Sequence, residues 1–280
     1  MNCKKRFQSK RRKDIKKDLL NQYIWQRQTL SDLANKYQKS QKWVQQKMDE
    51  NEIKQRVRIE TKKIIIVADT TFFSRSNGIT VFREPNLRKN VWWKETIYER
   101  ADIYRIGREH LEKNGFTIKA VVLDGRRGIR EVFSDIPVQM CHFHQKQIVR
   151  RYLTSRPRLL ASYELLAITN TLSKTNENDF SKRLNEWHEK WNEFLKQKTI
   201  NPLTNKWFYT HKRTRSAYRS LITNQKYLFT YQKYPKLNIP NTTNSLDGFF
   251  NRLKSLINVH RGLNTKRRKR MTIEILRGKE

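Results

Sequence analysis

The chain has 280 residues, of which 61 are Lys or Arg and 26 are Asp or Glu, so its formal net charge is +35. A field of this sign attracts polyanions, which makes nucleic acid the first partner to consider and an anionic membrane surface the alternative. No basic amphipathic anchor for such a surface stands out, and no apolar run approaches the roughly 18 residues of a membrane span, so no membrane partner is expected. The two cysteines, Cys3 and Cys141, are too few for a disulfide framework and indicate a reducing, intracellular setting.

Residues 1–60 predict a basic arm followed by a DNA-binding helical segment. The arm, at 4–17, is rich in Lys and Arg, and a helix at 15–24 continues from it. Two short helices follow with a turn at 38–40 between them, which is typical of a helix-turn-helix. The second of these helices would present four polar side chains to base edges: Gln41, Lys42, Gln45 and Gln46. An ordinary helical hairpin is the alternative, but the charge and the exposed glutamines favour DNA recognition.

A run of β-branched and aromatic residues at 64–73 predicts a strand buried on both faces, with Asp69 set into it. An acid in such a strand is costly unless its charge is compensated. A turn at 76–78 follows, and then strands at 78–83 and 91–98, a helix at 101–114, a strand at 117–125, a short helix at 128–133, a strand at 137–143 and a helix at 144–153. The first of these helices would bury Ile103, Ile106 and Leu111.

This order is that of the ribonuclease H-like fold, an α/β arrangement in which a mixed sheet is flanked by helices. Its first and fourth strands are neighbours, so Asp69 and Asp124 would lie side by side at the sheet centre. Carboxylates this close repel each other unless divalent cations bind between them. The pair therefore favours two Mg²⁺ or Mn²⁺ ions, as in two-metal phosphoryl transfer. A turn acid at Asp124 and a buried ion pair at Asp69 are the alternatives.

Four motifs follow one another along the chain: Val-Ala-Asp-Thr-Thr at 67–71, Val-Leu-Asp-Gly at 122–125, Cys-His-Phe-His at 141–144 and Asn-Thr-Thr-Asn-Ser-Leu-Asp at 241–247. Together they resemble the DDE-type insertion-sequence transposases of the bacterial group allied to the Mutator-like elements, over residues 15–263. The resemblance implies metal-dependent cleavage and strand transfer of double-stranded DNA, at element ends and a target, by a homodimer or larger assembly. It also implies a bacterial cytoplasmic protein associated with the nucleoid.

The last motif contains Asp247, which the resemblance implies as the third catalytic acid and metal ligand. The family usually carries Glu here, and the Asp carboxylate is one methylene shorter. Asn251 and Lys254 would project from the same helix beside it. The alternative is a helix start in which Asn244 caps and Asp247 favours the helix dipole. Two other functions therefore stay open: a decayed or repurposed transposase that only binds DNA, and a ribonuclease H-like nuclease that does not join strands.

Cys141 and His144 match a Cys-x-x-His signature that this family carries after its second acid. Considered from the residues alone, the pair is half of a zinc site without a second half. Cys141 is therefore expected to pack, while His144, and with it His142, would reach towards the site or the DNA backbone. Arg126 and Arg127, which follow the second acid, are candidates for phosphate contacts, and a solvated basic turn is their alternative.

Between 156 and 238 the strand pattern stops, and the resemblance implies an all-helical insertion. Helices are expected at 159–172, 179–197 and 211–221, the second with an apolar stripe typical of a core. The third carries the DNA-backbone candidates Lys212, Arg213 and Arg215. Transposases of this kind can stack an aromatic ring on a flipped base, and Trp207 is the candidate for that role.

The remaining boundaries follow from these segments. The first part of the ribonuclease H-like core would span 61–155, and the core would resume at 239–264 with the last catalytic helix. Residues 265–280 are expected to form a basic tail without a clear pattern. Residues 3–8 resemble the end of a zinc ribbon, but a single cysteine cannot hold structural zinc.

Overall fold

A computed structural model describes residues 14–51, 59, 61–75 and 77–278. The chain divides into two compact units, Met1–Arg58 with Phe249–Glu280 and Ile59–Gly248. Three predictions fall outside the described residues: the zinc-ribbon remnant, the basic arm before residue 14, and Ser76 of the expected turn. Within the described ranges, no helix is both long enough and apolar enough to cross a membrane.

Three helices open the first unit: α1 (Ile15–Trp25), α2 (Leu30–Tyr37) and α3 (Gln41–Asp49). Helix α2 begins with a capping box, in which Thr29 Oγ1 accepts from the Asp32 N–H and the Asp32 carboxylate accepts from the Thr29 N–H. Leu33 of α2 and Val44 of α3 are fully buried where these helices pack together. The two short helices and the turn between them are therefore present where the sequence predicts them.

The second unit is built on a five-stranded mixed sheet. Its strands are β1 (Lys63–Ser74), β2 (Asn77–Glu84), β3 (Lys89–Thr96), β4 (Thr117–Leu123) and β5 (Val138–Met140). The order across the sheet is β3-β2-β1-β4-β5, in which β2 is antiparallel to β1 and β3, and β4 is parallel to β1 and β5. This confirms the predicted α/β class and makes the first and fourth strands neighbours, an arrangement compatible with the ribonuclease H-like fold.

Helix α4 (Ala101–Lys113) connects β3 to β4 and packs against the sheet. Tyr104, Gly107 and Leu111 are its buried residues, and the Tyr104 ring centroid lies 5.7 Å from that of Phe82. The prediction that Ile106 is buried is wrong, because its side chain is 40% exposed. Position 106 lies outside the i, i+3, i+7 stripe that the three buried residues define.

Strand β5 is shorter than the strand predicted at 137–143. After α5 (Arg127–Glu131), the strand ends at Met140, and Cys141 precedes α6 (His142–Leu153) as its N-cap residue. The predicted strand is therefore wrong at its carboxyl end. His142 is buried, and its Nε2 lies 2.6 Å from the Leu228 carbonyl oxygen. A buried strand that passes directly into a buried helical turn has no change in hydropathy to mark the boundary.

Residues 156–238 contain α7 (Leu160–Asn170), α8 (Glu177–Lys196), α9 (Lys212–Leu228) and α10 (Thr230–Lys233). The predicted core stripe of α8 is confirmed, since Phe180, Leu184 and Trp187 are buried. The prediction of an all-helical segment is wrong at 198–209, where β6 (Lys198–Ile200) and β7 (Trp207–Tyr209) form an antiparallel pair. These strands are short and mostly exposed, so they lack the alternating burial by which a strand is recognised.

Two further helices complete the described chain, α11 (Asn244–Val259) and α12 (Thr265–Arg277). Helix α11 is the predicted last helix, and the division between the units falls within it, after Gly248. The prediction of a patternless tail is wrong, because α12 buries Met271, Ile275 and Leu276. Its apolar residues stand only in its second half, after a run of Lys and Arg that dominates the composition.

Candidate active site

Asp69 and Asp124 come from neighbouring parallel strands at the centre of the sheet. In the ladder between β1 and β4, Val67 pairs with Val122, and each acid stands two residues further along its own segment. Because parallel strands run in the same direction, both carboxylates lie towards the same end of the sheet. The structure therefore brings the two acids together, as the strand order predicts.

The Asp69 carboxyl is held in an environment that disfavours its charge. Burial raises its pKa to about 7, while the Thr70 N–H, which donates to Asp69 Oδ1 at 2.8 Å, acts in the opposite direction. The negative charges of Glu99 and Asp124 raise this pKa further, and the positive charge of His144 lowers it. Four titratable side chains thus share one electrostatic environment at this end of the sheet.

Glu99 belongs to this environment, although it was not predicted from the sequence as a site residue. It lies in the loop between β3 and α4, and its side chain is only 7% exposed. Tyr104 Oη donates to Glu99 Oε1 at 2.7 Å. Burial raises the pKa of Glu99, the hydrogen bond from Tyr104 lowers it, and the negative charge of Asp124 raises it again. A single loop acid has no periodic signal, so only the chain path could reveal this third carboxylate.

Arg126 forms ion pairs with two of these acids. Its Nη1 lies 3.0 Å from Glu99 Oε2, and its Nε lies 3.5 Å from Asp124 Oδ2. Its backbone N–H also donates to Asp124 Oδ1 at 3.0 Å, so Asp124 is a turn acid as well as a member of the carboxylate group. Gly125 between them has φ +102°, and a Cβ there would collide with the Met140 side chain, so the turn requires glycine.

His144 is half-buried, whereas Cys141 is fully buried. The interaction with the Cys141 sulfur raises the pKa of His144, burial lowers it, and the charges of Asp69 and Asp124 contribute to a final value of about 9. Burial acts to raise the pKa of Cys141, but interactions with His144 and Thr243 outweigh it, and the net direction is downward. The His144 imidazole is therefore protonated at neutral pH and adds positive charge beside the acids.

Asp247 lies in the first turn of α11, where its carboxylate is bound within its own segment. Thr243 Oγ1 donates to Asp247 Oδ2 at 2.9 Å, and the Asp247 N–H donates to the Thr243 carbonyl at 3.1 Å. The N–H of the buried Thr243 also donates to Cys141 Sγ at 3.3 Å. This chain of contacts ties the start of α11 to the end of β5. Asn251 and Lys254, which were expected beside Asp247, belong to the other compact unit.

The predicted DNA-contact residues lie in both units. In the first unit, the α3 residue Gln45 is half-buried. The other three α3 candidates are exposed: Gln41, Lys42 and Gln46. In the second unit, Lys212 and Arg213 are exposed at the start of α9, and Arg215 is half-buried. The side chain of Arg127 is 88% exposed and pairs with Glu131 at 3.1 Å.

Strands β6 and β7 bring exposed aromatic rings and cations together. Trp207 is 56% exposed, and Lys198 Nζ lies 4.0 Å from its ring centroid. The Arg215 guanidinium carbon lies 3.9 Å from the Tyr209 ring centroid. Aromatic faces beside cations are typical of surfaces that bind single-stranded nucleic acid. Trp207 was predicted from the sequence as the stacking residue, but the hairpin that presents it was not.

Comparison with known families and with curated proteins gave no match. The chemistry of the site is therefore inferred from its own residues. Among the residues that the structure describes, no three His, Cys, Asp or Glu side chains are placed to hold one metal ion together. Asp69 and Asp124 nevertheless fit a divalent cation as a pair, because carboxylate oxygens are the ligands that Mg²⁺ prefers. Mg²⁺ sites commonly use one or two carboxylates and complete the set with water and substrate phosphate.

Proposed function

We propose that this protein is a metal-dependent DNA transposase that cleaves the ends of an insertion sequence and joins them to target DNA. The observation that carries the proposal is the placement of Asp69 and Asp124, each two residues beyond the paired Val67 and Val122, at the same end of neighbouring parallel strands. Their mutual repulsion adds to the raised pKa of Asp69. A cation between the two carboxylates would relieve that repulsion, which is a reason for a protein to hold them so close.

In this proposal Asp69 and Asp124 would hold Mg²⁺ or Mn²⁺, two ions in all, and Asp247 of α11 would supply the third acid. Such ions activate the attacking oxygen and stabilise the leaving oxygen of a phosphodiester. The attacking oxygen belongs first to water and then to the freed 3′-hydroxyl. The protonated His144 would place a hydrogen-bond donor and a positive charge at the scissile phosphate.

DNA binding in the proposal rests on charge and on presented side chains. The net charge of +35 favours a polyanion. Helices α2 and α3 would act as a helix-turn-helix, with Gln41 and Gln46 at base edges, and Lys212 and Arg213 would contact the backbone. Trp207 would stack on an unpaired base. Joining two ends to one target requires two or more copies of the chain on the DNA.

A DNA-binding protein without catalysis is the second candidate. The observation that favours it is the position of Asp247, whose carboxylate accepts a hydrogen bond from the Thr243 hydroxyl. Within the described part of the chain, Asp247 does not complete a group of three metal-ligand side chains. A ribonuclease H-like nuclease that cleaves without joining is a third candidate. The three functions differ in products: joined DNA, cleaved DNA only, or bound and intact DNA.

The test uses purified protein and a labelled duplex that carries the DNA flanking its coding region, with a supercoiled plasmid as target. With Mn²⁺ we expect cleaved and joined products, and with chelator neither. Asp69→Ala and Asp124→Ala should each lower both activities at least about a hundredfold, because each removes a ligand of the reacting ions. DNA affinity in a gel-shift assay should change little.

The matched control is Glu131→Gln, which removes a 63% exposed carboxylate of the same unit. It should retain both activities. Equal cleavage by wild-type protein with chelator present would rule out the metal mechanism, and binding without products under every condition would favour the second candidate. Cleavage without joining would favour the third.

A further inference from the structure

The guanidinium of Arg126 lies between two acids of the candidate site. Its Nη1 is 3.0 Å from Glu99 Oε2 and 3.4 Å from the Glu99 carbonyl oxygen, and its Nε is 3.5 Å from Asp124 Oδ2. One cation therefore compensates both carboxylates. Guanidinium N–H groups and divalent cations compete for the same carboxylate lone pairs, so a position that an arginine bridges is also one where a cation gains favourable contacts.

The three partners of this bridge differ in how firmly they are held. The Arg126 side chain is 57% exposed, whereas those of Glu99 and Asp124 are 7% and 20% exposed. Tyr104 further fixes Glu99 through a hydrogen bond. The guanidinium can therefore turn out into solvent without opening the core, while the acids stay in place. Removal of the guanidinium alone would leave buried negative charge uncompensated, so a replacement cation is needed.

Resting on the proposed function, we propose that Arg126 is an internal counter-ion which a divalent cation displaces, and that Glu99 is then a carboxylate of the metal site. Glu99 and Asp124 would then hold the divalent cation, whose two positive charges would replace the single charge of the guanidinium. The released guanidinium then becomes available to a DNA phosphate, for which its planar fork is suited. Arg126 thereby couples occupancy of the metal site to the capture of substrate.

The neighbouring Arg127 provides a matched control for this proposal. It stands one residue away on the same turn, but it is 88% exposed and its Nε contacts Glu131. Arg127→Ala removes the same charge from the same segment without touching the carboxylate group. Any general effect of lower positive potential on cation affinity is therefore measured by this variant.

The experiment is a titration of the DNA-free full-length chain with Mn²⁺, in which electron paramagnetic resonance measures the free ion. Arg126→Ala should bind Mn²⁺ about threefold to fivefold more tightly than Arg127→Ala, the range expected when a half-exposed ion pair no longer competes. Glu99→Gln should bind it about tenfold more weakly than wild type, because it loses a charged ligand. Thermal unfolding of each variant without the ion confirms that it is folded.

The displacement of Arg126 is overturned if Arg126→Ala binds Mn²⁺ with the same affinity as Arg127→Ala, or more weakly. Either result would show that the Arg126 ion pairs are purely structural. Unchanged affinity in Glu99→Gln overturns the role of Glu99. If wild type binds Mn²⁺ and Asp69→Asn weakens it while both arginine variants behave alike, only this proposal fails. If neither wild type nor Arg126→Ala binds Mn²⁺, the proposed function fails with it.

Discussion

The ionisation of Asp69 links the stability of the protein to pH. Burial raises the pKa of this carboxyl from 3.8 to about 7 in the folded chain. Its contribution to the free energy of unfolding is therefore complete below about pH 4 and is lost as the pH rises through 7. We expect the free energy of unfolding of Asp69→Asn to exceed that of wild type at pH 8 by roughly 1–2 kcal/mol, a value reduced to account for the partial exposure of the carboxyl. Urea unfolding of both proteins at pH 5 and pH 8 measures this difference.

The same variant should lose most of its advantage at pH 5, where the wild-type carboxyl is protonated. The pKa of His144 is raised from 6.5 to about 9, so His144 loses its own contribution between about pH 6.5 and 9. Both proteins carry His144, so this loss largely cancels when the variant is compared with wild type at each pH. Glu131→Gln, which removes an exposed acid, is the control and must not reproduce the change. An Asp69→Asn protein that is less stable than wild type at pH 8 would show that the carboxylate is satisfied by its surroundings.

At the scale of elements, Thr243 connects the end of β5 to the start of α11. Its hydroxyl donates to Asp247 at 2.9 Å, and its N–H donates to Cys141 Sγ at 3.3 Å. We expect Thr243→Val to destabilise the protein by about 1 kcal/mol, because it removes a buried hydroxyl and leaves the Asp247 carboxylate without that donor. A double-mutant cycle with Asp247→Ala should give a coupling of about 0.5–1.5 kcal/mol in urea unfolding.

The control cycle combines Asp247→Ala with Asn176→Ala. Asn176 caps α8 and its side chain accepts from the Asp179 N–H, so it belongs to a different network and its effect should simply add. A Thr243–Asp247 coupling no larger than that of the control would mean that the hydroxyl does not hold the acid. In that case Asp247 would be free to move towards the other carboxylates.

At the scale of the whole molecule, the net charge of +35 predicts DNA affinity that falls steeply with salt. Lys212 is exposed at the start of α9, and its removal should lower the slope of log affinity against log salt by about one. Trp207→Ala should instead weaken binding to single-stranded DNA and leave the slope unchanged, because stacking releases no counter-ions. Filter binding between low and moderate salt measures both quantities.

Lys190→Ala is the control for the salt experiment, since the Lys190 ammonium is already paired with Glu164 at 2.7 Å. Its slope should equal that of wild type. If Lys212→Ala leaves the slope unchanged, the start of α9 does not contact phosphate. If Trp207→Ala weakens single-stranded and duplex DNA equally, the ring does not act by stacking on unpaired bases.

The central sheet, with Asp69 in β1 and Asp124 directly after β4, was predictable from the residues alone. Strands β1 and β4 are apolar runs whose burial follows from composition, and their order along the chain restricts how they can pair. The apolar stripe of α8 is equally local, because residues three and four apart share one face of a helix. These features depend on neighbours in the chain, which a sequence displays directly.

The electrostatic surroundings of those acids, in contrast, depend on how the chain folds. Glu99 and Arg126 stand in loops, where no periodicity relates a side chain to a face, and their partners lie far along the chain or across a turn. Likewise, α12 has a short apolar pattern that basic residues outnumber, and strands β6 and β7 are only three residues each and mostly exposed. Whether a charge is buried depends on what the returning chain packs against it, and that is a property of the folded molecule alone.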